Sequence, residues 1–178
     1  LKNSCSSVGE GIRQLLSNQS REFNGWFFST VHFVFAGNNS CLKYGTIGTP
    51  EKMFLVWKED PEENSRQKMD KYLLKMCEKS RIIELMHDFV LFDGGKKKLP
   101  RVHQYFGIKA AQNFVRDNKG GIIWHTQGSG KSLTMVMMAE AIALDKSIRN
   151  PKIVMVTDRV DLDEQISGTF EKCGRKPL

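Results

Sequence analysis

An α/β chain in two halves is predicted by three features of the sequence. A short apolar run, a glycine-rich loop, a long helical stretch and a second apolar run follow one another between residues 120 and 156. Nearer the N-terminus, alternating residues flank a cluster of turn formers, as in a β-hairpin. Between these two regions lie two stretches with apolar residues at helical spacing.

The hairpin is read over residues 23–47. Val31, Phe33 and Phe35 alternate with Thr30, His32 and Val34, the turn is Gly37-Asn38-Asn39-Ser40, and Leu42, Tyr44 and Thr46 return. The aromatic residues Phe23, Trp26, Phe27, Phe28, Phe33 and Phe35 are assigned to the core rather than to base stacking. Thr49-Pro50 places a capping residue before a proline and predicts a helix or turn carrying Phe54, Leu55 and Trp57. Met69, Tyr72, Leu73, Met76 and Cys77 mark one amphipathic helix. Ile82, Ile83, Met86, Phe89 and Val90 mark another, with Ser80 as its cap. Asp93-Gly94-Gly95-Lys96-Lys97-Lys98-Leu99-Pro100 combines turn residues, a basic triplet and a proline, and the join between the two halves is placed there.

Composition sets the outer limits. The chain has 178 residues, 40% hydrophobic and 26% charged, and no apolar run nears the roughly 20 residues that cross a bilayer. A soluble, cytoplasmic protein with no membrane partner is expected. Four cysteines and four histidines are widely scattered, which argues against zinc and for reduced thiols. The net charge of +7 is spread over both halves, so it permits contact with phosphate backbones without requiring it.

The chemistry concentrates in His125-Thr126-Gln127-Gly128-Ser129-Gly130-Lys131-Ser132. Gly120 to Trp124 reads as the strand before this loop and Leu133 to Leu144 as the helix after it. In that setting the glycines let backbone N–H groups turn in around a β-phosphate at a helix N-terminus. Lys131 would reach the β- and γ-phosphates and the Ser132 hydroxyl would ligate Mg²⁺, so ATP with Mg²⁺ is the expected ligand. His125 stands where the general motif has its first glycine, which suits the looser form used by nucleic-acid motors. Ile153 to Val156 is a second buried strand, reached through the helix, so a parallel βαβ unit follows. Asp158 at its end could pass for a Mg²⁺-holding acid, but Arg159 to Gln165 run into a helix, and loop chemistry is the reading preferred for it.

With these pieces placed, residues 101–178 closely resemble the first motor domain of the restriction subunit of type I restriction-modification enzymes, a superfamily 2 helicase-like translocase. The blocks that carry the resemblance are Arg101 to Phe106, Gly121 to Ser132 and Val156 to Gln165. It implies a RecA-like parallel sheet with ATP bound by Gln104, Gln127, Gly128, Ser129, Gly130, Lys131 and Ser132. Gln104 would lie near the adenine; its alternative is a helix-start contact. Thr157, Asp158 and Arg159 look like motif Ia on the DNA-tracking face, with a helix-capping salt bridge as the other reading of Arg159.

The first hundred residues resemble the stretch between nuclease core and motor in the same family. Leu1-Lys2-Asn3 is similar to the tail of the Glu-x-Lys element of a PD-(D/E)xK nuclease, which would make Lys2 the catalytic lysine beside carboxylate-held Mg²⁺. Gln14 falls where that family's Gln-x-x-x-Tyr motif begins, although Asn18 replaces the tyrosine. The implied layout is the end of a nuclease domain at 1–60, a helical linker at 61–100 and the start of the motor at 101–178. Implied partners are double-stranded DNA and the modification and specificity subunits. No Asp-Glu-x-x element and no second motor domain are present, so these 178 residues alone are expected to turn over little ATP. Two other readings are a P-loop phosphotransferase and a non-catalytic segment coupling motor to nuclease.

Overall fold

A computed structural model describes residues 7–20, 22–59 and 68–175. The chain divides into two compact units, residues 1–86 and 87–178.

The first unit is built on a small antiparallel sheet. Helix α1 (Val8–Asn18) starts at Ser7, whose hydroxyl accepts the Gly9 N–H at 3.3 Å. After the single turn α2 (Gly25–Phe28), strands β1 (Val34–Asn38) and β2 (Cys41–Gly45) form the expected hairpin around Asn39 and Ser40. The Asn38 side-chain carbonyl accepts the Ser40 and Cys41 N–H groups, both at 3.1 Å, and so closes the turn from within. A short β3 (Leu55–Val56) adds to β2. Val34 and Ala36 pack with Ile12 and Phe54 on one face. Leu42 and Tyr44 point to the other, where the Tyr44 ring meets Trp57 edge-on at 5.8 Å. The Trp57 indole donates to Glu59, which also pairs with Arg81 and, at 3.6 Å, Lys75. Helices α3 (Lys68–Met76) and α4 (Lys79–Asp88) bury Tyr72, Met76 and Leu85.

Several expectations need correction in this unit. Val34 and Ala36, rather than Phe33 and Phe35, pack on Ile12 and Phe54; Phe33 and Phe35 stack on each other at 6.2 Å and stay half-buried. Phe23, Trp26 and Phe27 are exposed rather than core. Consecutive residues on a helical turn diverge by about 100°, so of the run 26–28 only Phe28 reaches the core cluster. Thr49-Pro50 opens a single 3₁₀ turn, Glu51–Met53, before the chain returns to the sheet. Glu78, not Ser80, caps α4: its carboxylate accepts the Ser80 and Arg81 N–H groups, both at 3.2 Å, and the Ser80 hydroxyl at 2.6 Å. Those hydrogen bonds hold the Glu78 carboxyl below its ordinary pKa.

The second unit begins at His87. The glycine and lysine segment expected as the join is instead a hairpin, β4 (Leu91–Asp93) and β5 (Lys96–Lys98). Gly94 and Gly95 turn it at φ +56° and +77°. Gly94 N–H then donates to the Lys172 carbonyl at 3.0 Å, which ties the hairpin tip to the end of helix α7 (Val160–Lys172). Helices α5 (Val102–Arg116) and α6 (Lys131–Leu144) pack together. Gln112, buried on α5, donates to the Ala141 carbonyl at 3.0 Å. Arg116 grips Asp145, the residue that ends α6, at 2.7 and 2.9 Å. Hydrogen bonds from Ser147 and the Arg116 charge keep the Asp145 carboxyl low.

The parallel sheet expected here is not formed. Neither 120–124 nor 153–156 pairs as a strand, and Ile122, Trp124, Val154 and Val156 are exposed. A parallel strand is stabilised by ladders to its neighbours and by cover on both faces. Residues 153–157 instead line a cavity together with Met138, Ile142, Ile166 and Phe170 of α6 and α7.

Candidate nucleotide-binding loop

The loop 127–130 runs straight into the first turn of α6, as the sequence requires. Gly128 and Gly130 sit at φ +75° and +87°, a region that side-chain-bearing residues avoid. Gly130 is constrained a second time, since a Cβ there would lie 3.1 Å from Gln104 Nε2. A Cβ on Gly128 would meet nothing within 4 Å, so the backbone at that turn faces open space. Ser129 is buried, and its hydroxyl has no hydrogen-bond partner.

Gln104 holds the far end of the loop in place. Its Oε1 accepts the Arg101 N–H at 2.8 Å at the start of α5, while the Gln104 N–H donates to the Arg101 carbonyl at 2.9 Å. Its Nε2 donates to the Gly130 carbonyl at 3.2 Å and to Thr134 Oγ1 at 2.9 Å. Thr134 Oγ1 in turn donates to the same carbonyl at 3.1 Å. The buried amide is thus engaged at both ends with backbone and helix.

Lys131 folds back over the loop's beginning. Its ammonium donates to the carbonyls of His125 and Thr126 at 3.1 and 3.0 Å. His125 is partly buried, and burial, then the neighbouring His103 and Lys131, push its pKa down from 6.5. Ser132 follows on the first turn of α6, half-buried, while Gln127 is exposed.

The other predicted residues lie apart from this cluster in sequence and bonding. Thr157 donates to Asp163 Oδ1 at 3.3 Å, and Arg159 makes a bidentate pair with Asp161 at 2.6 and 3.1 Å, both side chains 68% exposed. Asp158 is exposed just ahead of α7. Lys2 lies outside the described residues, and Gln14 is exposed on α1. His103, Gly107 and Thr134 were not anticipated as parts of the site. A histidine beside Gln104 and a glycine in mid-helix are the sequence signals that mark the first two.

Residues 103–178 match the SWI2/SNF2 ATPase family. The type I restriction enzyme HindI endonuclease subunit of Haemophilus influenzae is 33% identical over 146 residues, covering 72% of this chain and 14% of that protein. Two putative type I restriction endonuclease subunits of Methanocaldococcus jannaschii are each 30% identical. MjaIXP aligns over 158 residues, 72% of this chain and 15% of its own length; MjaVIIP aligns over 187 residues, 94% and 17%. The chain therefore spans less than a fifth of the length of these relatives. Over most of its length it is similar to type I restriction endonuclease subunits, and its C-terminal part matches the SWI2/SNF2 ATPase family.

Proposed function

We propose that this chain is part of the ATP-dependent DNA translocase and endonuclease subunit of a type I restriction enzyme, and that residues 127–132 bind ATP to drive movement along DNA before cleavage. The observation that carries the reading is the loop itself. Two positive-φ glycines lead into the N-terminus of α6, with Lys131 and Ser132 as the first helical residues.

The residues present suit a triphosphate. Backbone N–H groups at 128–132 would cradle the β-phosphate. Lys131 would exchange the carbonyls of His125 and Thr126 for β- and γ-oxygens. Ser132 would offer its hydroxyl to Mg²⁺, whose remaining ligands would be phosphate oxygens and water. The Mg²⁺-bound triphosphate supplies the phosphoryl group that is hydrolysed. Gln104 would lie near the adenine, and its amide also holds Gly130 and Thr134. In the same reading Thr157, Asp158 and Arg159 face DNA, Lys2 serves the nuclease, and 120–124 and 153–156 become strands of a RecA-like parallel sheet. Double-stranded DNA and the modification and specificity subunits are the partners, and the cytoplasm is the setting. The 178 residues alone would hydrolyse little ATP.

The test is DNA-stimulated ATP hydrolysis by the full-length subunit assembled with its partners, comparing the unchanged protein with Lys131→Ala. Stimulation by DNA that Lys131→Ala abolishes supports the motor. Turnover that persists in the variant, or that depends on a small phosphate acceptor instead of DNA, moves the assignment to a phosphotransferase.

A further inference from the structure

The N-terminal turns of α5 grip the loop at both ends, and the grip at its beginning is made by a side chain that the general phosphate-binding motif lacks. His125 occupies the position where that motif has glycine. Its ring lies on α5 over Gly107: a Cβ at Gly107 would lie 3.5 Å from His125 Nε2. His103, one helical turn back on the same face, meets the His125 ring edge-on, with centroids 4.9 Å apart and planes at 86°. The other edge of His103 reaches the Ser129 carbonyl, with Nε2 at 3.3 Å.

Gly107 has an ordinary helical backbone, so conformational freedom does not explain it. Glycine is the poorest helix former after proline. A Cβ there would make ordinary van der Waals contact with the imidazole, so the ring lies directly on the helix at this point and a longer side chain would compete for its place. The downward shift of the His125 pKa agrees with a neutral ring packed beside His103 and the Lys131 ammonium.

Taking 125–132 as the nucleotide-binding loop, we infer that His125 is a positioning residue for nucleotide: seated on Gly107 and edged by His103, it fixes where the loop leaves α5. The consequence passes through the backbone. The His125 and Thr126 carbonyls hold the Lys131 ammonium until phosphate oxygens replace them, so a loop start free to drift loses the fixed point from which the lysine reaches the nucleotide. The imidazole itself makes no contact with the nucleotide.

The experiment measures ATP affinity, KM and kcat of the full-length subunit in its assembled complex for His125→Ala, His125→Phe and Gly107→Leu, with Lys131→Ala alongside. Emptying the seat in His125→Ala, or filling it from the helix side in Gly107→Leu, is expected to raise KM by about tenfold while kcat stays within about twofold, since preorganisation of binding is what is lost. His125→Phe, which fills the same seat without a ring nitrogen, is expected to restore most of the affinity. If His125→Phe is as weak as His125→Ala, the imidazole nitrogens act directly and the inference is overturned. Wild-type affinity in His125→Ala overturns it as well, and that variant lies on the loop, so the test survives a Gly107→Leu that does not fold. Nucleotide binding indifferent to Lys131→Ala would instead remove the reading of the loop on which the inference rests.

Discussion

Two tryptophans summarise how differently the two units are finished. Trp57 in the first unit is 0% exposed, packed on Tyr44 and hydrogen-bonded through its indole to Glu59. Trp124 in the second is 87% exposed on a segment that pairs with no strand. The first unit closes because its sheet is antiparallel: each strand finds its neighbour a few residues away, and α1 and Trp57 cover its faces. The second unit has well-made helices, but its apolar runs at 120–124 and 153–156 need neighbours that no hairpin can bring. Local pairing completes a core early in the chain, whereas parallel pairing waits for remote segments.

The sharpest break of this comparison comes from Trp57→Ala. It empties a fully buried site and strips Glu59 of a donor, so a loss of about 3–5 kcal/mol is expected in urea or thermal unfolding of the first unit. A near-neutral result would mean that this core is not what holds the unit. Gln104→Ala comes next. It leaves the Gly130 carbonyl and Thr134 hydroxyl without their buried amide partner, and a cost of about 1–3 kcal/mol is expected in the second unit, together with weaker nucleotide binding.

A smaller effect is expected from pH. The His125 pKa is depressed in the folded chain, so between that value and the ordinary 6.5 of the unfolded chain the unfolded state binds more protons. The associated stability is complete above 6.5 and is lost as pH falls through that window. The midpoint of unfolding of the second unit should drop on acidification from about pH 7.5 to about pH 5.5, and less so in His125→Phe. The smallest effect belongs to Trp124→Ala, expected within about 0.5 kcal/mol of the unchanged chain. A large loss there would show that 120–124 is already packed and would erase the contrast between the units.

Much of the secondary structure could be read from residue order, because it depends on near neighbours. The hairpin of β1 and β2, the helices α3 and α4, and the loop running into α6 all fall where turn residues and periodicity indicated. The errors arose where local signals were compatible with two outcomes. Alternation around residue 33 fits either face of a strand, and packing against Ile12 and Phe54 selects Val34 and Ala36 for that face, with Phe35 beside Tyr44 on the other. The aromatic run 26–28 suggested core, but one helical turn can aim only one of three successive rings inward. The segment 93–100 has the composition of a linker and of a hairpin alike; contact between Gly94 and the end of α7 selects the hairpin.

By itself the sequence determined the chemistry at the loop: which residues can bend backward at positive φ, and which lysine and hydroxyl follow them onto a helix. Those properties belong to glycine, lysine and serine wherever they stand. Only the tertiary structure decided what holds that loop in position. Gln104 reaches Gly130 and Thr134, and His125 finds its seat on Gly107, across 18 to 30 residues of chain. Contacts at such separation depend on how α5 packs against α6, and no local pattern of residues encodes that.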